Sequence, residues 1–260
     1  MDRRSFVLTG LSTVTTGASR TALSDTGKRA WIELRFFHLR NDLNRSRLES
    51  FLREGFLATF KKMGRSPVGI FSVTMGSHMP MLLTIVSFPS MAQMENDLDQ
   101  LSRDAVWKKA LDELDQPQAA AYSRIESVLL RAFASTPAIE LPMMGPGRPA
   151  HVFELRTYES RNMRASETKI KMFDGGEIEI FRKCGMLPVF FGQSMIGSGL
   201  PSLTYMLAYD STEAREEAWR KFINHPDWLK LKSAPGLADS EIVSRISNCF
   251  LRPTDYSEIQ

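Results

Sequence analysis

The sequence is poor in the residues that most often announce a function. It has two cysteines, Cys184 and Cys249, in 260 residues, too few for a disulfide scaffold and without the C-x-x-C spacing of a metal or redox site. Four histidines (His38, His78, His151 and His225) are scattered, and none sits in an H-x-E or H-E-x-x-H array. We therefore expect no metal and no cofactor. No G-x-S-x-G, P-loop or G-x-G-x-x-G occurs, which argues against serine-hydrolase, nucleotide and dinucleotide chemistry. Apolar runs are too short to span a bilayer, so stable membrane insertion is not expected. Charge of one sign is scarce too: the formal net charge is +3, which gives nucleic acid little to hold.

What remains is an ordinary globular composition, 43% hydrophobic and 24% charged, long enough for one large domain or two of usual size. The first two dozen residues stand apart. Arg3-Arg4-Ser5-Phe6 is followed by a weakly apolar stretch diluted by Thr, Ser and Gly, with small residues at Ala18 and Ser24 and a further basic residue at Arg20. This resembles a twin-arginine export signal; the alternative is a plain basic tail. The resemblance implies that residues 1–24 are removed and that the mature chain is periplasmic or extracellular. Export in the folded state implies that Cys184 and Cys249 are reduced and buried, with a Cys184–Cys249 bridge as the alternative.

Sliding the chain along itself by 121 residues pairs Glu33-Leu34-Arg35 with Glu154-Leu155-Arg156. Without a gap the same offset matches Gly55 with Gly176, Gly64 with Gly185, Pro80 with Pro201, Trp107 with Trp228 and Ser123-Arg124-Ile125 with Ser244-Arg245-Ile246. Matches of Gly, Pro and Trp in one register mark a tandem duplication. Each copy reads strand, helix, strand, strand, helix, strand. In the first copy the strands fall at 31–37, 68–75, 81–88 and 123–131, with helices over 45–63 and from Ser90 to about Leu114. In the second the strands fall at 151–158, 189–208 (a hairpin) and 243–251, with helices over 164–184 and 211–232. Gly64 and Gly185 end the first helix of each copy, where the backbone needs a positive φ.

The order βαββαβ predicts an α+β protein of two tandem ferredoxin-like units, with both helices of each on one face of a four-stranded sheet. The other face is bare, and two copies in one chain can cover each other sheet to sheet, which closes a pseudo-dimeric barrel. The expected domains are 30–135 and 150–253, joined by a proline-rich tether at 136–149. Alternation in the first strand of each copy separates Ile32, Leu34 and Phe36 from Glu33 and Arg35. In the second copy it separates Phe153, Leu155 and Thr157 from Glu154, Arg156 and Tyr158. The apolar rows suit the helices, so the charged rows are expected between the sheets.

"FELRTY" opening a strand, "GQSMIGSGLPSLTYMLAYDSTEAREEAW" through the hairpin and next helix, and "NHPDWLKL" beyond it resemble a NIPSNAP domain across about 100 residues of the second copy. The first copy matches more weakly, with "IELRFF" and "FPSMAQM" in the corresponding places. The resemblance implies a dimeric α/β-barrel fold and no shared reaction, several members acting in binding or signalling.

The ligand-site candidates are Glu33, Arg35, Glu154 and Arg156. Arg124, Arg245, Tyr158 and Gln193 are placed to enlarge the cluster. A fixed guanidinium can anchor a carboxylate or enolate, and a neighbouring Glu can hold it or accept a proton; the alternative is ion pairs that only fix the sheet. None of the four histidines lies mid-strand on the Glu/Arg face, which weakens a haem reading. We expect a non-catalytic protein that binds a small organic anion or a protein partner in or around the inter-sheet space, and that associates as a homodimer of the two-copy chain. The rival expectation is a cofactor-free isomerase or oxygenase with Arg156 as anion anchor and Glu154 as base.

Overall fold

The computed structural model describes residues 28–39, 45–116, 120–143 and 150–260; the export-signal segment 1–24 lies outside them. The first copy contains β1 (Trp31–His38), α1 (residues 45–62), β2 (Gly69–Met75), β3 (Met81–Phe88), α2 (Met91–Leu101), α3 (Ala105–Leu114) and β4 (Arg124–Ala132). The second contains β5 (Val152–Ser160), α4 (residues 163–183), β6 (Leu187–Ile196), β7 (Ser202–Tyr209), α5 (Thr212–Ile223), α6 (Pro226–Lys232), α7 (Asp239–Ile242) and β8 (Val243–Pro253). Gly64 and Gly185 hold φ of 74° and 88° just past α1 and α4, the left-handed stop that glycine supplies without steric cost. Ser90 and Ser211 cap α2 and α5 by accepting the backbone N–H of Gln93 and Ala214.

The second helix of each copy is broken in two. In the first copy Asp104 starts α3 by accepting the N–H groups of Val106 and Trp107. In the second, Pro226 sits in the first turn of α6, where its missing N–H costs nothing. A capping side chain or proline inside an apolar period restarts the helix, which periodicity alone does not report.

Eight antiparallel strands close into a barrel in the order β1-β3-β2-β8-β5-β7-β6-β4. Each copy supplies a four-stranded sheet, and the seams are β2 with β8 and β4 with β6, where Val73 faces Leu251 and Leu130 faces Ser194. β1 and β5 stand four strands apart, so the copies are related by a half-turn about the barrel axis, and both hairpins project from the same end.

The two strand faces are assigned the reverse of the sequence expectation. Ile32 and Leu34 join Phe153 and Leu155 in one cluster drawn from both copies, and the Phe71 and Phe153 rings meet across the barrel at 4.9 Å. The charged rows point outward, beneath each copy's own helices. A closed barrel needs an apolar row from all eight strands to interdigitate. The helices can bring donors to a carboxylate from about 60 residues away, which strand alternation does not reveal. The opposed faces also explain why Cys184 and Cys249 are free: Cys184 packs in the second copy's helix layer and Cys249 against the barrel interior.

The described part of the linker is no loose tether. Glu140 donates its N–H to Val189 O at 2.8 Å, and Ile139 packs against the barrel core. At the other end of the chain Glu258 donates to Val68 O at 3.0 Å, while Ile259 is fully buried in that core. The second copy thus extends beyond residue 253, and linker and tail plug the end of the barrel opposite the hairpins.

Candidate functional site

Glu154 is fully buried, and its carboxylate is crowded with donors. Arg156 Nη1 reaches it at 2.7 Å, and from α5 come Arg215 Nη2 at 2.7 Å and Nε at 3.0 Å, with Trp219 Nε1 at 3.1 Å. Asn248 Nδ2 on β8 adds a bond at 2.9 Å. Burial alone would raise this carboxyl, but donation from Arg215, the charge of Arg156 and the Asn248 amide outweigh it and bring it down to about 2. Tyr158 shares this face: Arg156 Nη2 approaches its hydroxyl at 3.4 Å and Tyr205 donates to it at 2.9 Å. The first copy has a reduced version, in which Arg35 grips Glu33 with two bonds of 3.0 Å and Ser127 adds one of 2.8 Å. The two Glu/Arg pairs lie on opposite outer sides of the barrel and share no space. Gln193 follows Phe191 on the outer face of β6, opposite Arg131 in register, and also lies apart from them.

The space between the sheets holds a cavity of about 810 Å³, open at the hairpin end. Phe36, Val128 and Leu155 form its apolar floor, and His38, Thr157 and Ser202 stand above them. Of the anticipated site residues Arg245 lines this cavity, directly opposite Glu159 in the β5–β8 register. Arg124 lies at the rim on the same face of β4, paired with Glu126 at 2.7 Å. One polar atom in the wall, Ser202 Oγ, is buried with no hydrogen-bond partner, whereas the buried His38 Nε2 faces Glu126 Oε2 at 3.4 Å. Buried polar groups are nearly always satisfied, so Ser202 needs a partner from within the cavity. Sequence reasoning missed His38 because the inward face was misassigned; once the apolar row points inward, His38 follows Leu34 and Phe36 on it.

The duplication makes this lining asymmetric. Ser202 and Thr204 occupy the register of Met81 and Leu83, Thr157 that of Phe36, and Glu159 that of His38. One wall is therefore more hydroxylated and the other more apolar. Thr157 and Thr204 bond each other at 2.9 Å. Burial pushes the Cys249 thiol up to about 12, so it meets a ligand as a small apolar group and not as a nucleophile. Among the described residues no three His, Cys, Asp or Glu side chains are grouped to hold a metal, and no helix is long and apolar enough to cross a membrane.

Similar proteins agree with this architecture. A provisionally named monooxygenase from Fusobacterium nucleatum is 11% identical with a TM-score of 0.55, over 86% of this chain and 92% of that one. An anthrone oxidase-like protein is 12% identical with a TM-score of 0.52, over 87% and 92%. A NIPSNAP family protein of unknown function from Agrobacterium tumefaciens is 22% identical, over 43% of this chain and 95% of that one, with a TM-score of 0.38. At these identities the likeness to the first two is one of fold alone. Among curated proteins none matches. The NIPSNAP family model matches twice, at residues 32–136 and 153–258, one match for each half of the duplication, and the chain belongs to the NIPSNAP family.

Proposed function

We propose that the chain is a binding protein for a small organic anion, which it holds in the cavity between its two copies. The observation that carries this reading is the buried, unpartnered Ser202 Oγ in the wall of a cavity of about 810 Å³ between the two copies. A volume of that size suits a small organic molecule. Arg245 is the cationic partner within it, His38 and Ser202 add polar contacts, and the floor of Phe36, Val128 and Leu155 receives an apolar body. The enzymatic rival loses its base. Glu154 is saturated by donors and held near 2, whereas a general base needs an accessible group near the working pH.

Native mass spectrometry of the protein purified from its own host tests the proposal. A retained small molecule that is released on denaturation is expected; a bare polypeptide mass from every preparation overturns the binding reading. Export through residues 1–24 belongs to the same proposal. A reporter carrying Arg3→Lys/Arg4→Lys should stay inside the cell, and its normal export would remove that part.

A further inference from the structure

One imidazole in the cavity wall comes with its own carboxylate, and the second copy has no counterpart to the pair. His38, the last residue of β1, is buried yet lines the cavity. Its Nε2 is closed off from solvent and faces Glu126 Oε2 at 3.4 Å. Glu126, on the neighbouring strand β4, is held in turn by Arg124 Nη2 at 2.7 Å and Nε at 2.8 Å. In the register of the duplication Glu159 and Ser247 stand where the first copy has His38 and Glu126. The barrel is thus also built at this place without an imidazole. A third residue sets the first copy apart. His78 holds a φ of 62° in the first hairpin, where its twin Gly199 holds 70°. A left-handed backbone is disfavoured for a residue with a Cβ, and such strain is typically kept at functional sites. The ring of His78 meets that of His38 edge-on, with centroids 6.1 Å apart.

A carboxylate at one imidazole nitrogen fixes the tautomer: Glu126 takes the Nε2 proton, and Nδ1 keeps a lone pair. Because Nε2 is enclosed, the rest of the ring is what His38 shows to the cavity. The carboxylate also stabilises the imidazolium that forms when Nδ1 accepts a proton. The second copy's wall carries groups suited to an anion. Ser202 Oγ is buried without a partner, and the exposed Arg245 stands at the mouth. Ser202 and Arg245 flank Glu159 in one cross-strand row, so a donor for one oxygen and a cation for a carboxylate lie two strands apart. Glu159 itself is tucked beneath the second hairpin, where a Cβ on Gly199 would meet its Cδ at 3.3 Å.

We propose that the cavity is catalytic as well as binding: His38, fixed by Glu126, is the base that enolises a 2-oxo acid with an apolar body. The base that Glu154 cannot supply is here on the inner face of β1. The carboxylate lies on Arg245, the neighbouring carbonyl oxygen accepts from Ser202 Oγ, and the body rests on Phe36, Val128 and Leu155. His38 Nδ1 takes a proton from the carbon beside the carbonyl. The C–H electron pair becomes the C=C bond, and the C=O π pair moves onto the oxygen that Ser202 holds. The imidazolium then returns its proton, to that oxygen to give the enol or to carbon to restore the ketone. Nothing is oxidised or reduced and no group is transferred, so no further reactant is needed. This step rests on the anion-binding reading of the cavity and adds a base to it.

Phenylpyruvate in heavy water is the probe, with exchange of its methylene protons followed by NMR and its binding read separately by calorimetry. The full chain should bind it and speed exchange at least about a hundredfold over matched buffer. His38→Gln should abolish the acceleration and leave binding within a few fold. Glu126→Ser installs the second copy's residue and should lower kcat for exchange at least about tenfold with little change in KM. It should also move the rising limb of the pH profile down, because the imidazolium loses its carboxylate and keeps Arg124 and His78 beside it. Filling the cavity by Ser202→Met/Thr204→Leu should remove binding and exchange together. Thermal unfolding checks that each variant is folded, and whichever of the His38 and Glu126 variants folds suffices. Binding without acceleration overturns the proposal and leaves the anion-binding reading standing. A folded His38→Gln that keeps the acceleration, a folded Glu126→Ser with an unchanged pH profile, or exchange that survives the filled cavity overturns it as well. Failure of wild type to bind overturns it at the first step and counts against the anion-binding reading too.

Discussion

Glu154 shows how far a single residue can be read from sequence. Its spacing to Arg156, and the repeat of that spacing at Glu33 and Arg35, mark a buried pair. The sequence does not say which side of the sheet the pair faces, nor that Arg215 and Trp219 complete its shell from a helix about 60 residues on. Replacing Arg156 by Met leaves a fully buried carboxylate with one guanidinium where it had two, and should cost about 3 kcal/mol in chemical denaturation. The double change Arg156→Met/Glu154→Gln should recover part of that loss, with a coupling of at least about 1 kcal/mol; additive single effects would mean that the pair is solvated. Glu177 makes a separate, pH-dependent contribution. Its folded carboxyl lies near 7, above the ordinary 4.5, so its contribution is full below about 4.5 and is lost as pH rises through 7, about 3 kcal/mol in all. Glu154 runs the other way, its contribution being present above 4.5 and lost as pH falls toward 2. Urea unfolding of Glu177→Gln should therefore flatten the fall in stability between pH 5 and 8 and leave the acid limb in place. An unchanged slope in that window would show that Glu177 titrates normally.

At the scale of elements, strand order, the helix-ending glycines and the hairpins were legible because each follows from local sequence chemistry. Other features depend on what a segment packs against. α1 and α4 both contain a wider, π-helical stretch, at Phe51–Leu57 and Phe173–Glu177, and the glycines that the duplication aligns, Gly55 and Gly176, lie within them for different reasons. A Cβ on Gly55 would come within 2.5 Å of the Ala110 Cβ on α3, whereas Gly176 has open space but a φ of 145°. Gly55→Ala should thus cost about 1–3 kcal/mol by overpacking, and Ala110→Gly in the same chain should relieve part of it. Gly176→Ala should be destabilised by backbone strain that no neighbouring truncation relieves. Equal relief at both sites, read from denaturation midpoints, would refute that distinction.

For the whole molecule, the closed barrel was the most legible feature, because a bare sheet face repeated once within a chain has an obvious partner. An inter-sheet cavity was expected from the two facing sheets, but not what keeps it open. Its existence depends on Ser202, Thr204 and Thr157 standing in the register where the first copy has Met81, Leu83 and Phe36, and that substitution of hydroxyls for bulk reads as cavity only once the apolar row is known to face inward. The same comparison supplies the most direct test of the central claim, that the space between the copies is the ligand site. Ser202→Met/Thr204→Leu gives the second copy the side chains that the first already accommodates, so the barrel should still close. Native mass spectra of this variant and of wild type, prepared identically from the host, should show the bound small molecule in wild type and its loss from the folded variant. Equal occupancy of the two would place the ligand outside the barrel and contradict the claim.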